Sequence, residues 1–293
     1  MLPSEIERRS LISSGSHLVH YTNHAVDILK SNELRLRNAR KMTDQNEIRI
    51  GRECVDQFLG EGNTKFSDAL DRIRPRLFAR IKQTWDTECS AQIDQTFIAC
   101  FTVQSSDDIL GNEYHWNNFG RTALCLNPAF LVGEPSLLSL YLVKVNYGKE
   151  AILDSLSQMT EVICSHESVF RSLPENVFLS FVGHALYFAS VASKSSDFSP
   201  ENEWRLIHSP FLFSSAHLLP EYRTYSNSNE LVYLLQMTIP LGTTLAGLAT
   251  SNLIRKVLIK RDQPSWQDRQ ADIISQLKYH GATDARDRVL IVD

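Results

Sequence analysis

Short apolar runs rich in β-branched and aromatic residues recur along the whole chain, and they constrain its fold more than any other feature. HLVHYT (17–22), TFIACFT (96–102), RTALCL (121–126), LSLYLVKVNYG (138–148), LVYLLQMTI (231–239), RKVLIK (255–260) and RVLIV (288–292) read as strands, as do ELRLR (33–37) and EWRLIHS (203–209). Helical stretches separate them. One covers 24–31, with Ala25, Ile28 and Leu29 on one face and Asn23 as its cap. A polar one covers 44–88, punctuated by Gly60 and Gly62, with Pro75 placed to start or kink a helix. A mainly helical pattern follows Gly148 and includes an apolar helix at 177–192, and a further helix lies near 265–279. No repeat or long linker divides the 293 residues, although ~150 residues per domain would allow two units. The spacing therefore predicts one α+β domain over 1–293, with helical insertions at about 48–92 and 149–192.

Charge narrows the partners. Thirty Lys and Arg stand against 34 Asp and Glu, a net charge of −4, which excludes a generally basic nucleic-acid coat. The concentrated basic stretch is Arg72, Arg74, Arg76, Arg80 and Lys82, either a solvated helix face or a phosphate or nucleic-acid contact. The longest apolar stretch, 177–192, is interrupted by Ser180, Gly183, His184 and Ser190 and is short of the ~20 residues of a membrane span. The opening MLPSEIERRS lacks the apolar run of a secretory signal. Cys54, Cys89, Cys100, Cys125 and Cys164 are odd in number and have no metal-knuckle spacing, so reduced thiols in a cytoplasmic protein are expected. The nine histidines are scattered without H-x₃-H or H-E-x-x-H, and no metal is expected. No G-x-G-x-x-G or Walker loop is present.

Three clusters carry more specific chemistry. His20-Tyr21-Thr22 ends the first strand, and His20 reads either as a satisfied buried histidine or as a ligand-binding group. Trp116 and Phe119, three residues apart, suit either stacking on a planar ring or the core. In Glu201-x-Glu203-Trp204-Arg205 an extended strand projects both carboxylates and Arg205 to one side, with Trp204 and Leu206 facing the core. That pattern fits a solvated strand edge with a Glu203–Arg205 pair, or a functional carboxylate pair able to bind hydroxyls and stabilise a developing cation.

The order of these clusters resembles the ADP-ribosyltransferase superfamily. There a strand with His-x-Thr precedes an aromatic-bearing segment, and a much later strand carries a Glu, often within Glu-x-Glu. The matching residues are His20-Tyr21-Thr22, CFTVQSS (100–106) leading to Trp116, and Asn202-Glu203-Trp204. The chain also resembles, nearly end to end, a bacterial domain family with the pattern HYT…ILKSNELRL…D-x-x-E…CF…W-x-x-F/Y-x-x-G…V-x-Y…E-x-EWRL…I-x-K-V. Asp44, Glu47, Cys100-Phe101, Trp116 and Lys256-Val257 fit it, whereas Gly120 directly after Phe119 departs from its spacing. Tyr21 stands where the best-known transferases commonly carry Gly.

The resemblance implies a split β-sheet core that binds NAD as substrate without a glycine-rich loop. It implies Glu203 as stabiliser of an oxocarbenium-like state and Glu201 as the group that orients or deprotonates an acceptor. His20, Tyr21, Thr22, Trp116 and Phe119 would bind NAD, with Trp116 stacking on nicotinamide. Asp44 and Glu47 would shape the rim or cap a helix. The implied activity is an NAD-dependent ADP-ribosyltransferase modifying RNA, DNA or protein, in a bacterial toxin or phage-defence setting with an antitoxin or regulatory partner. The alternatives are an NAD glycohydrolase, a tRNA phosphotransferase-like enzyme, or a non-catalytic nucleotide or nucleic-acid binding module.

Overall fold

Strand β3 (Phe97–Gln104) organises the sheet because two strands share one of its edges. The computed structural model describes residues 15–42, 46–60, 63–129, 139–210, 212, 218–225, 228–237, 249–261 and 265–293. Along one edge of β3 runs β8 (Glu203–His208), antiparallel, from Phe97↔His208 to Thr102↔Glu203. On the opposite edge, Thr102–Gln104 pair with β1 (His17–Thr22), while Phe97 and Ile98 pair with β2 (Glu33–Asn38). The sheet therefore forks along β3. One arm continues from β1 through β4 (Thr122–Leu126) and β11 (Ile254–Lys260) to β12 (Val289–Val292). The other continues from β2 through β10 (Ser228–Gln236) to β9 (Leu218–Tyr225), and β5 (Tyr141–Lys144) flanks β8. Among the described residues this is a ten-stranded mixed sheet within an α+β chain.

The period-two alternation of the strands sorts side chains into separate cores. Leu18, Leu34, Leu36, Phe101, Trp204 and Leu206 face one side. There they meet α1 (Ala25–Ser31) and, through Ile273 and Leu277, α11 (Trp266–Tyr279). Ile98, Val143 and Ile207 face the other side, under a helical layer. That layer is α2 (Asn46–Phe58), α3 (Thr64–Ile73) and α4 (Leu77–Asp94), with α7 (Gly148–Ser165), α8 (Glu167–Ser172) and α9 (Glu175–Val191). Val19 and Tyr21 pack under α5 (Ser106–Gly111) and α6 (Glu113–Asn118). Two short helices, α10 (Thr250–Leu253) and α12 (Ala285–Arg288), precede β11 and β12.

Several sequence expectations change. Asn23 does not cap α1: His24 occupies that position without a side-chain cap bond, and Asn23 Oδ1 accepts the Arg121 backbone N–H at 3.0 Å instead. The strand expected over 138–148 breaks at Val145, giving β5 and then β6 (Asn146–Tyr147), which pairs in parallel with β7 (Ser193–Lys194). β9 falls outside the strand runs of the sequence pattern because Pro220, Glu221 and Arg223 blur its alternation. It pairs only with β10 among the described residues, and edge strands tolerate Pro. In the basic stretch Arg72, Arg76 and Arg80 are exposed, as a solvated face would have them, but several of its cations are engaged. Arg72 pairs with Glu167 at 3.3 Å, Arg80 with Glu175, and Arg74 donates to the carbonyls of Arg171 and Leu173. These cations fasten the first helical stretch to the second.

The helical layer also depends on a close crossing. A Cβ at Gly51 in α2 would lie 2.1 Å from the Ser190 carbonyl oxygen in α9. In an open helix Gly→Ala is favourable by about 1 kcal/mol. Here Gly51→Ala should instead destabilise by roughly 1–3 kcal/mol through overpacking, read as a lower denaturation midpoint at unchanged slope. A rise in midpoint would show that the helices are free to separate.

No described helix is long and apolar enough to cross a membrane. All five cysteines are free thiols.

Candidate functional site

The fork creates the site. β1 pairs with β3 as far as Val19↔Thr102 and then leaves it, so His20 stands where the two strands part. Its Nδ1–H donates to the Cys100 carbonyl at 3.0 Å, across the gap. Burial holds the imidazole below its ordinary value, against the pull of that bond, so it is neutral near pH 7. With Nδ1 donating, Nε2 is an acceptor. His20 lines a cleft of about 540 Å³ together with Val19, Tyr21, Cys100, Phe101 and Thr102.

The opposite wall comes from the β8 motif, but not by the route expected. Glu201 ends a 3₁₀ turn (Ser196–Glu201), and Asn202 turns the chain through φ 43° before β8 begins at Glu203. The two carboxylates therefore do not share a face by strand alternation. A common cation brings them together: Lys194 Nζ donates to Glu201 Oε2, and to Glu203 Oε2 at 2.8 Å. Within β8 the alternation holds. Arg205 Nε donates to Glu203 Oε1 at 2.7 Å and its Nη1 to the Val191 carbonyl at 2.6 Å, while Trp204 and Leu206 enter the core.

This is no solvated strand edge. Glu201, Glu203, Lys194 and Arg205 are 6%, 4%, 6% and 1% exposed. Burial alone would push Glu203 up, but the Arg205 and Lys194 charges outweigh it and hold the carboxyl at about 2. For Glu201 burial outweighs the Lys194 attraction, and the neighbouring Glu203 charge adds to it, raising the carboxyl to about 7. Similar side chains thus take different protonation states at neutral pH, the arrangement that divides acid–base roles between paired carboxylates. Burial, with the Glu203 charge, holds the Cys100 thiol well above its ordinary value, so it is no nucleophile.

The aromatic segment forms the third wall. Tyr114, His115, Asn118 and Phe119 line the cleft. His115 Nε2–H donates to the Glu201 carbonyl at 3.0 Å, tying α6 to the carboxylate turn. A Cβ at Gly120, where φ is +151°, would lie 2.4 Å from the Thr22 backbone, so only glycine lets α6 return this close to β1.

Five of the seven site residues expected from the sequence meet at this cleft: His20, Tyr21, Phe119, Glu201 and Glu203. Trp116 does not line it. It is 1% exposed, its Nε1 donates to the Ile109 carbonyl at 2.9 Å, and it packs edge-on to Tyr21 at 5.0 Å. Stacking of Trp116 on a ligand ring is therefore corrected to a supporting role behind Tyr21, whose hydroxyl donates to Gln104 Oε1. Thr22 is also away from the cleft, its Oγ1 accepting the His24 N–H at 2.9 Å. Asp44 lies outside the described residues, and Glu47 is in the first turn of α2.

Lys194, Tyr147, Tyr114 and His115 are site residues for which sequence reasoning made no claim. Tyr147 stands in the V-x-Y element of the bacterial pattern, the one available signal. Lys194 lies in a polar loop stretch with none. Among the described residues no group of three or more His, Cys, Asp or Glu is placed to hold a metal ion. Compared with protein-family models, curated proteins and solved structures, the chain matches none.

Proposed function

We propose that the cleft binds NAD and cleaves its nicotinamide–ribose bond, transferring ADP-ribose to an acceptor. The observation that carries this reading is the convergence of a buried, ionised Glu203 with a neutral His20 in one cleft walled by Tyr114 and Phe119. The bond joins ribose to a cationic pyridinium, and its cleavage builds positive charge at the anomeric carbon. A carboxylate already ionised and held by Arg205 stabilises that charge without reorganising. His20 Nε2 accepts a hydrogen bond from a ribose hydroxyl, and Tyr114 and Phe119 offer faces to the nicotinamide in place of Trp116. Glu201 takes the proton of the incoming acceptor. In this reading the forked sheet is the split sheet of an ADP-ribosyltransferase-like fold.

The test is incubation with NAD labelled separately in its nicotinamide and adenylate halves, alongside protein, RNA and DNA pools. Nicotinamide release with adenylate label entering one pool is expected. Release without label in any pool would identify an NAD glycohydrolase. Absence of both NAD binding and nicotinamide release would overturn the reading.

The pH dependence follows from Glu201. Its carboxyl is a base only when ionised, so transfer should rise about tenfold per unit on the acid side and level off above pH ~7. Glu203 stays ionised throughout that range. Glu201→Gln should remove the pH dependence of transfer and leave part of the NAD hydrolysis, because water replaces a poorly activated acceptor. An unchanged profile in Glu201→Gln would assign the titration to another group.

A further inference from the structure

The ends of the helical layer meet at the carboxylates. β6 immediately precedes α7 and β7 follows α9, and their ladder pairs Tyr147 directly with Lys194. Both reach the start of β8. The Glu203 backbone N–H donates to the Tyr147 hydroxyl at 2.6 Å, and Lys194 bonds the carboxylates of Glu201 and Glu203. The Lys194 ammonium also lies 5.2 Å from the Phe198 ring centre, and Phe198 and Lys194 both line the cleft. Two carboxylates this close repel each other unless a cation stands between them.

From this geometry we propose that Lys194 is a positioning residue, a shared counter-ion that holds Glu201 and Glu203 together and sets the pH at which Glu201 becomes a base. The catalytic consequence rests on the NAD-cleaving reading; the positioning does not. Several elements packed around the pair contribute a titratable or charged group. Arg205 on β8 holds Glu203, Cys100 on β3 and Tyr147 on β6 face it, and Tyr114 and His115 on α6 face Glu201. Of these groups Arg205 is the permanent cation, and it bonds Glu203 Oε1. Removing Lys194 therefore leaves Glu203 paired and Glu201 facing a like charge. Glu201 responds by keeping its proton to higher pH.

The experiment is a carboxyl ¹³C NMR titration of the ligand-free protein, comparing wild type with Lys194→Met and Lys194→Arg. Lys194→Met should raise the Glu201 midpoint by about one pH unit or more, a tenfold change in its proton affinity. Glu203 should still titrate well below its ordinary range, and Lys194→Arg should keep the Glu201 midpoint close to wild type. A Glu201 midpoint unmoved in Lys194→Met would overturn the proposal, as would an equal rise in Lys194→Arg. Should Lys194→Met not fold, Lys194→Gln removes the charge, keeps a donor and carries the same comparison. In the activity arm, Lys194→Met should lose about fivefold or more in kcat at pH 7, recover as pH rises, and change KM for NAD little. If wild type releases no nicotinamide, the NAD reading fails while the titration still decides the role of Lys194.

Discussion

Glu203→Gln should cut nicotinamide release by about 10²–10³-fold while changing NAD affinity little. The loss falls on turnover because the carboxylate charge interacts more strongly with a developing oxocarbenium ion than with bound NAD. The size follows removal of one preorganised electrostatic stabiliser. Stability should also fall, since Arg205 would then lack its buried anion and Lys194 would keep Glu201 alone of the two. Breaking a buried pair costs roughly 3–5 kcal/mol, within the 5–15 kcal/mol typical of a domain, so the variant should fold for assay at moderate temperature. A folded Glu203→Gln protein that binds NAD and turns over at the wild-type rate would remove Glu203 from the chemistry. The charge on Glu203 also makes stability pH-dependent with a definite sign. Its carboxyl sits at about 2 when folded, against 4.5 ordinarily. That contribution is present above pH 4.5 and is lost as pH falls toward 2. Glu201, raised to about 7, works oppositely: the folded state keeps a proton that the unfolded chain has lost, so its contribution declines between pH 4.5 and 7.

Arg205→Met should destabilise by roughly 3–5 kcal/mol, as the other way of breaking the same buried pair. Arg205 is 1% exposed, holds Glu203 Oε1 and satisfies the Val191 carbonyl at the end of α9. Methionine fills much of its volume but leaves Glu203 with Lys194 as its remaining described cation and the carbonyl without that donor. The double variant Glu203→Gln/Arg205→Met should recover part of the loss, because neither charge is then stranded. Urea denaturation of the two singles and the double gives the coupling energy directly. Strictly additive losses would show that Arg205 acts through packing and Val191 rather than through Glu203.

Local pattern placed most of the elements. HLVHYT, EWRLIH and RKVLIK became β1, β8 and β11 within a residue or so, because alternation and β-branching are properties of the segment itself. Trp204 and Leu206 face the core as the alternation required. Trp116 shows where such reading stops. Its type suits both a stacking platform and a core residue, and only the packing of α5 and α6 on β1 buries it behind Tyr21.

The sequence by itself determined the α+β alternation, the helical stretches near 48–92 and 149–192, and His20, Glu201 and Glu203 as candidate site residues. Tertiary structure decided what those residues are able to do. The fork along β3 depends on two strands sharing one edge, a property of pairing that no single segment contains. The different acidities of Glu201 and Glu203 depend on Arg205 and on Lys194, which β6 and β7 deliver from the ends of two helices. Burial and Coulomb interaction act through space, over a few ångströms, between groups that the chain order keeps apart.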